Sequence, residues 1–366
     1  MQTVTVPLSR PYSALIERGL LARAGEWIAA QFQPRGAVVV VTTAPVRRFW
    51  GGALEQSLAR AGLRACVLEM QDGEEHKHLA ELARLGEQMA ASGADRDAVL
   101  LALGGGVVGD VAGLLASVYM RGVELIQAPT TLVAMIDSAL GGKTAVNLAA
   151  GKNLIGTFYH PAAILVDPDA LATLPEREYR SGLAEAVKYG IIGDAELFAF
   201  LEAEADALAA RAPLALEWLI AACLRQKAAV VAADEREAGL RQVLNFGHTL
   251  GHALESATKY QVYLHGEAVA WGMIAAIEIA VRMHKLERPA AQRMQRAIVR
   301  LAGPLPPLEL DPALVLRHAA SDKKARGGVL RFVLPRAVGA VEVVAGVPDA
   351  VVLAGLAAAA AQLQLR

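Results

Sequence analysis

The stretch "NFGHTLGHALE", residues 245–255, places two histidines, His248 and His252, four residues apart, with Asn245 three before the first. On a helix, residues three and four apart share a face, so all three are expected to project side by side. Such a face can bind a metal, pass a proton, or simply pack. A third histidine, His265, stands before Gly266-Glu267 at the start of another helical pattern. Zinc that must leave room for a substrate takes three protein ligands, and two histidines with a glutamate are a common set. The carboxylate has a candidate in "GLAEAVKYG" (182–190), where Glu185 lies among apolar residues with Lys188 almost one turn on. An unpaired acid in such surroundings is costly. Spacing does not choose which two of the three histidines would bind.

A second group of residues suits phosphate. "GGGVVGD", Gly104 to Asp110, follows the apolar run "AVLLAL" and precedes the helical "VAGLLASVYM". Gly104, Gly106 and Gly109 fit the G-x-G-x-x-G spacing in a strand–turn–helix context, where backbone and helix N–H groups can approach a diphosphate. No acid ends the following strand. The preceding strand is followed instead by "DGEEHK" (72–77), in which Asp72 or Glu74 is placed to bind ribose hydroxyls and Lys77 a phosphate; the bland alternative is a charged turn capping a helix. Residues 128–161 add Thr130, Thr131, Asp137, Lys143, Asn147, Lys152 and Asn153. Two Gly–Lys elements nine residues apart suit an anionic substrate better than they suit a solvated loop. Only nine of the 36 basic residues are lysine, at 77, 143, 152, 188, 227, 259, 285, 323 and 324, against 27 arginines. Lysine is retained where a compact ammonium on a flexible stem is useful.

The elements that must position these groups follow from periodicity. "AVVVVTT" (37–43), "RACVLEM" (64–70), "AVLLAL" (98–103), "VELIQAP" (123–129) and "AILVD" (163–167) read as strands, and "MQTVTVPLSR" alternates like one. Helical patterns at 46–61 and 78–92 lie between them. Continuous apolar strands separated by helices predict a parallel sheet covered on both faces. From about residue 176 the pattern becomes helical, with strand signal returning only near 329–344; "AGPLPPLELDP" (302–312) is a proline-rich connection. The expectation is an N-terminal α/β domain, 1–175, and a mainly α-helical domain, 176–366, with ligands at strand carboxyl ends and in the cleft between domains. The 366 residues suffice for both.

Composition narrows the function. Net charge is −1, which argues against general nucleic-acid binding. No apolar run reaches the roughly 18–20 residues of a membrane span, and the start lacks a signal-peptide pattern. Val269–Val281, broken by Glu278, and the alanine-rich 351–361 read as buried helices. Cys66 and Cys223 have no partners at metal spacing, so a reduced, cytoplasmic protein without a disulfide is expected.

Taken in order, "DGEEHK", "GGGVVGDVAG", "YMRG", "QAPTTLVAMIDSALGGKTAVN", "GKNLIGTFYHP", "GLAEAVKYG", "LNFGHTLGHALE", "HGEAVAWGM" and "DKKARGG" resemble the 3-dehydroquinate synthase family over nearly the whole chain. These are sugar-phosphate cyclases of the shikimate pathway of aromatic amino-acid biosynthesis, with metal-dependent polyol dehydrogenases as distant relatives. The resemblance implies a Rossmann-like NAD domain, a helical metal-binding domain and an active site between them. It implies Glu185, His248 and His265 as ligands of zinc or cobalt, and His252 as a non-ligand placed for hydrogen bonding or proton transfer. It places NAD on Asp72, Gly73, Glu74, Glu75, His76 and Lys77, on Gly106, Val107, Val108, Gly109 and Asp110, on Thr130, Thr131, Lys143 and Lys152, and on Ala170, Leu171, Ala172 and Thr173. Substrate would meet Arg121, Asp137, Lys143, Asn153, Lys188, Lys227, Arg241, Asn245, His252 and one of Lys323 or Lys324.

The implied reaction converts 3-deoxy-D-arabino-heptulosonate 7-phosphate to 3-dehydroquinate and phosphate. It proceeds by transient oxidation at C5 by NAD, phosphate elimination, re-reduction and an intramolecular aldol closure, with no net NADH. A homodimer is the family expectation, with a sugar phosphate as the small-molecule partner. The rivals are another sugar-phosphate cyclase, a net polyol dehydrogenase and a catalytically dead NAD-binding regulator. Asn245 and His252 together favour the first reading, the second rival would not need so many lysines for phosphate and carboxylate, and no catalytic group is missing as the third would require.

Overall fold

All six residues of "VVVVTT" and all six of "VLLALG" are buried, the pattern of strands covered on both faces. In the computed structural model they are β3 (Val38–Thr43) and β5 (Val99–Gly104), preceded by β1 (Gln2–Val6) and β2 (Tyr12–Ile16) and joined by β4 (Ala65–Met70), β6 (Glu124–Pro129), β7 (Lys143–Leu148), β8 (Gly151–Phe158) and β9 (Ala163–Val166). Seven of these form one sheet, ordered β1-β2-β9-β6-β5-β3-β4. Only β1 and β2 pair antiparallel; the remaining pairs are parallel.

Period-2 alternation splits the strands between two cores. Val39, Val41, Leu100 and Ala102 face Leu85, Met89, Val108 and Val111. Val38, Val40, Leu101 and Leu103 face Ile28, Leu54 and Leu58. Among the parallel strands the order reverses between β3 and β5, since β4 lies beyond β3 and β6 beyond β5. A doubly wound sheet opens its binding crevice at the carboxyl ends of strands at such a switch point. β5 ends there on Gly104.

The structure describes residues 1–237, 239–307, 311–325 and 329–364, with side chains described except at 321–325 and 362–364. The chain divides into two units, Met1–Pro175 with Leu216–Ala232, and Glu176–Ala215 with Ala233–Arg366. A cut at 175/176 thus leaves Leu216–Ala232 on the wrong side: this stretch of the Pro213–Ala233 helix belongs to the first unit. Leu219, Ile220, Ala221, Cys223 and Leu224 are all buried, and a helix apolar around so much of its circumference carries no sequence signal of which unit it joins.

The second unit is built on the helices Glu176–Gly193, His248–Ala257, His265–Arg282, Arg288–Ala302 and Asp349–Gln364, with an antiparallel hairpin of β10 (Arg331–Ala337) and β11 (Ala340–Ala345). Every residue from Gly266 to Ala280 is buried, which makes His265–Arg282 the central helix of this unit. Glu278 inside it accepts from Arg288 at 2.7 Å and Gln295 at 2.8 Å, so the acid that breaks the apolar run is paired. Among the described residues no helix is long and apolar enough to cross a membrane.

Candidate active site

In the first unit the glycine loop leads from β5 into the helix Gly106–Val118, whose N-cap, Gly105, makes no side-chain capping bond. The first-turn amides of this 13-residue helix are thereby left for an anion. Gly109 lets the helix pack closely on β6, because a Cβ there would stand 2.9 Å from Gln127 Oε1. Thr130 N–H donates to the Gly104 carbonyl at 2.9 Å, and Thr131 Oγ1 accepts from Ala134 N–H, so both threonines adjoin the loop.

The "DGEEHK" turn forms a network with the β7–β8 hairpin. Lys77, 3% exposed, donates to Asp110 Oδ2 at 2.6 Å and Asn153 Oδ1 at 2.5 Å. Burial pushes the Asp110 carboxyl up, against the opposing charge of Lys77. Asn147 Nδ2 donates to Glu74 Oε1 at 2.7 Å, Asn147 N–H donates to the Lys77 carbonyl, and Asn153 N–H donates to Asn147 Oδ1. Lys152 approaches Glu74 at 3.9 Å. The bland reading of this turn is half right: the next helix, Leu79–Ala91, is capped by His78, whose Nδ1 accepts from Glu81 N–H. Asp72 and Lys143 remain exposed. Asp137, in the turn after β6, is paired with Lys227, whose ammonium also donates to the Asp137 carbonyl at 2.6 Å.

In the second unit three helices converge on a carboxylate. Glu185 is 0% exposed and Lys188 1%, with Lys188 Nζ 2.7 Å from Glu185 Oε2. His265 Nε2 and His248 Nε2 stand 3.3 and 3.5 Å from Glu185 Oε1. Neither Glu185 oxygen has a well-aligned hydrogen bond. Gly266 permits this approach, since a Cβ there would stand 1.9 Å from the Ser181 carbonyl oxygen. Gly247, at φ +79, turns the chain into the His248 helix in a conformation that favours glycine.

The other ring nitrogens are held as well. His248 Nδ1 lies 3.0 Å from the Phe246 carbonyl, which can only accept, so Nδ1 carries the proton and Nε2 a lone pair. His265 Nδ1 lies 3.4 Å from Glu255 Oε2. Burial acts to raise the Glu185 carboxyl, but Lys188, His248 and His265 together hold it well below the usual carboxylate range. Burial lowers His248 to about 3 against the pull of Glu185. Desolvation of His265 is outweighed by Glu185 and Glu255, which raise it to about 10. Possible ligand atoms of His248, His252 and His265 all lie within 4.8 Å of one another.

Not every expected residue joins these groups. Asn245 does not share a helix with His248: it ends the 3-10 turn Leu240–Asn245, and Gly247 reverses the chain before His248. It donates to Glu237 Oε1 at 3.2 Å, while Arg241, 2% exposed, donates to the Glu235 carbonyl. Arg121 is not brought to the glycine loop. It follows the far end of Gly106–Val118, about 20 Å away along the helix, where Met120, Arg121 and Gly122 all take positive φ. In the turn Pro168–Thr173 after β9, Ala170 and Leu171 are core residues, Ala172 is exposed and Thr173 accepts from Trp50 Nε1 at 2.8 Å. The side chains of Lys323 and Lys324 lie outside the described residues. Two supports were not assigned from sequence, the Phe246 carbonyl and Glu255; Glu255 had a signal, standing three residues after His252 and seven after His248 on their helix.

Profiles of the 3-dehydroquinate synthase N-terminal and C-terminal domains match residues 67–181 and 182–325. A 3-dehydroquinate synthase of Koribacter versatilis (strain Ellin345) is 48% identical over 345 residues, 94% of each chain. The chain belongs to the 3-dehydroquinate synthase family. Two solved structures of related cyclases share the fold. The 2-epi-5-epi-valiolone synthase ValA of Streptomyces hygroscopicus subsp. jinggangensis 5008, with NAD+ and Zn2+ bound, is 31% identical with a TM-score of 0.88, covering 96% of this chain and 97% of its own. A 2-deoxy-scyllo-inosose synthase with carbaglucose-6-phosphate, NAD+ and Co2+ is 28% identical with a TM-score of 0.89, covering 97% and 99%.

The residues of this family member fit both groups. Ligand atoms about 2.0–2.2 Å from a tetrahedral ion stand about 3.3–3.6 Å apart, the range of the Glu185–His265 and Glu185–His248 contacts. A buried carboxylate with unused hydrogen-bonding capacity is what a cation would complete. An uncapped helix start at the switch point fits a diphosphate.

Proposed function

We propose that this chain converts 3-deoxy-D-arabino-heptulosonate 7-phosphate to 3-dehydroquinate and phosphate. The observation that carries the reading is the buried Glu185 carboxylate, faced by Lys188 and by the Nε2 atoms of His248 and His265. In this reading Glu185, His248 and His265 hold zinc or cobalt, and the glycine loop, Thr130–Thr131 and the Asp72–Lys77 turn hold NAD. When bound, NAD supplies a reversible hydride acceptor and the ion acidifies adjacent substrate hydroxyls.

The chain's own groups supply charge, orientation and a proton path. Lys143, Lys152, Lys188 and Arg241 neutralise the substrate's carboxylate and phosphate ends. The Lys227–Asp137 pair fixes a hydroxyl, and Asn245 orients another. Lys77 donates to Asp110 and Asn153 and so holds both in place beside the glycine loop. His252 is the residue to pass a proton, its ring 5.3 Å from that of His248 by centroids. Phosphate is expelled as the C6 proton is lost, and the ring-opened product closes before release, a step in which orientation gives the main acceleration. We place the protein in the cytoplasm, in keeping with the free thiols of Cys66 and Cys223, without a nucleic-acid partner. We further assign it a homodimeric state, supported by the exposed Leu154 and Phe158 on β8.

The test is phosphate release from the heptulosonate phosphate with NAD and zinc or cobalt, while NADH absorbance is followed. Catalytic phosphate release with no net NADH, abolished by a chelator and restored by the ion, is expected. Phosphate release only from glucose 6-phosphate would move the chain to another cyclase activity, and NADH accumulation from simple polyols to a dehydrogenase.

A further inference from the structure

Glu255 is a buried acid to which the reaction as described gives no part. Its side chain is 5% exposed, and its Oε2 stands 3.4 Å from His265 Nδ1. The His265 side chain is 39% exposed, against 12% for His248. Packing therefore restrains the His248 ring more than the His265 ring, which is open to solvent along one side. The two rings also differ in their anchors. His248 is tied by Nδ1 to the carbonyl of Phe246, two residues back in its own chain segment. His265 begins its helix and has no such local carbonyl; the group facing its Nδ1 comes from ten residues upstream, on the neighbouring helix. The two helices are joined by a turn that places Lys259 and Tyr260 at positive φ, and Tyr260 N–H donates to the Glu255 carbonyl at 2.7 Å, fixing the backbone at the same residue.

We propose that Glu255 is the positioning residue of the metal centre: its carboxylate accepts the Nδ1–H of His265 and so turns Nε2 toward the ion. This rests on the assignment of Glu185, His248 and His265 as ligands. A carboxylate only accepts in its ionised form, so it selects the tautomer with the proton on Nδ1 and the lone pair on Nε2. It also restrains rotation of a ring that solvent would otherwise leave mobile. Groups that orient a ligating histidine in this manner contribute about 10–100-fold to metal affinity. One helix then supplies a ligand in His248, the adjacent His252, and in Glu255 the anchor for a ligand on the next helix.

The experiment uses the full chain stripped with EDTA and titrated with Co2+, comparing wild type with Glu255→Ala, Glu255→Gln and His265→Ala. Visible absorption follows binding, and proton NMR of the Co2+ form follows the hyperfine-shifted, solvent-exchangeable Nδ1–H signals of the bound histidines. Wild type is expected to show two such signals. Glu255→Ala should bind Co2+ about 10–100-fold more weakly and lose one of the two signals to solvent exchange, keeping the one held by Phe246. Glu255→Gln, whose amide oxygen still accepts, should fall between and serves as the test if the alanine variant does not fold. Wild-type affinity with both signals protected in the Glu255 variants, while His265→Ala loses the metal, would overturn the proposal and leave the ligand set standing. Wild-type Co2+ affinity in His265→Ala would overturn the ligand set itself.

Discussion

Two polar clusters, one in each unit, meet burial in opposite ways. Around Lys77 the groups satisfy one another: the ammonium donates to Asp110 and Asn153, and Asn147 ties Glu74 to the hairpin. Around Glu185 the charges are close, at 2.7 to 3.5 Å, yet neither carboxylate oxygen gains a well-aligned hydrogen bond. A network that closes on itself is a scaffold, and here it braces the strand ends beside the glycine loop. A buried acid with capacity left over is a place for an ion, because an unpaired buried charge is otherwise expensive. The first unit therefore offers an anion the free amides of a helix start, and the second offers a cation a buried carboxylate flanked by imidazoles.

The largest effect should come from Glu185→Ala, which removes the group on which the second cluster converges. Metal content by elemental analysis should fall to background and turnover with it, while a variant of the first cluster keeps its metal. Lys77→Ala should act on folding instead. It strands Asp110 beside a buried hole, and breaking such a pair costs about 3–5 kcal/mol when fully buried; the partial exposure of Asp110, 22%, brings the expectation to about 2–3 kcal/mol. Urea denaturation of the metal-loaded protein measures this, and an unchanged midpoint would remove the scaffold role.

Gly266→Ala tests the packing that brings the ligand helices together. Its Cβ would meet backbone at 1.9 Å, so about 1–3 kcal/mol of stability should be lost, together with weaker Co2+ binding. A shift in thermal midpoint without any change in Co2+ affinity would separate packing from ligation.

The most gradual effect is in pH. In the metal-free chain His265 is raised to about 10 from its ordinary 6.5, so the folded state holds a proton that the unfolded state has lost. That contribution is complete below about 6.5 and disappears as pH rises toward 10. The melting temperature of the EDTA-treated protein should therefore decline across this window. Zinc affinity should rise across it, since the ion competes with that proton. Calorimetry in buffers of different ionisation enthalpy should show proton release on zinc binding near pH 7.5, and no release would contradict the assignment.

Much of this contrast is legible in the sequence. The glycine loop is a local backbone requirement, written at fixed spacing between a strand and a helix. Glu185 announced itself as an acid in an apolar helix, and His248 and His252 as neighbours one turn apart. The β7–β8 hairpin did not, because β8 has no buried face to impose alternation: from Asn153 to Phe158 every residue is exposed. Helical spacing puts Asn245 on the face of His248, but the positive φ of Gly247 ends that periodicity between them. That Leu216–Ala232 groups with the first unit is not legible, because an apolar helix does not reveal its neighbours. Glu255 required knowing that His265 returns against the preceding helix, a tertiary fact that spacing alone does not contain.

The central claim is that Glu185, His248 and His265 form the ion's ligand set, with His252 beside it but outside it. Metal stoichiometry and turnover of His248→Ala and His252→Ala, measured side by side on the full chain, test it most directly. The account predicts that His248→Ala loses the metal, whereas His252→Ala keeps about one ion per chain and slows by about 10²–10⁴-fold, the range of a lost proton-transfer group. Equal loss of metal from both variants would contradict it and make the three-histidine cluster the metal site.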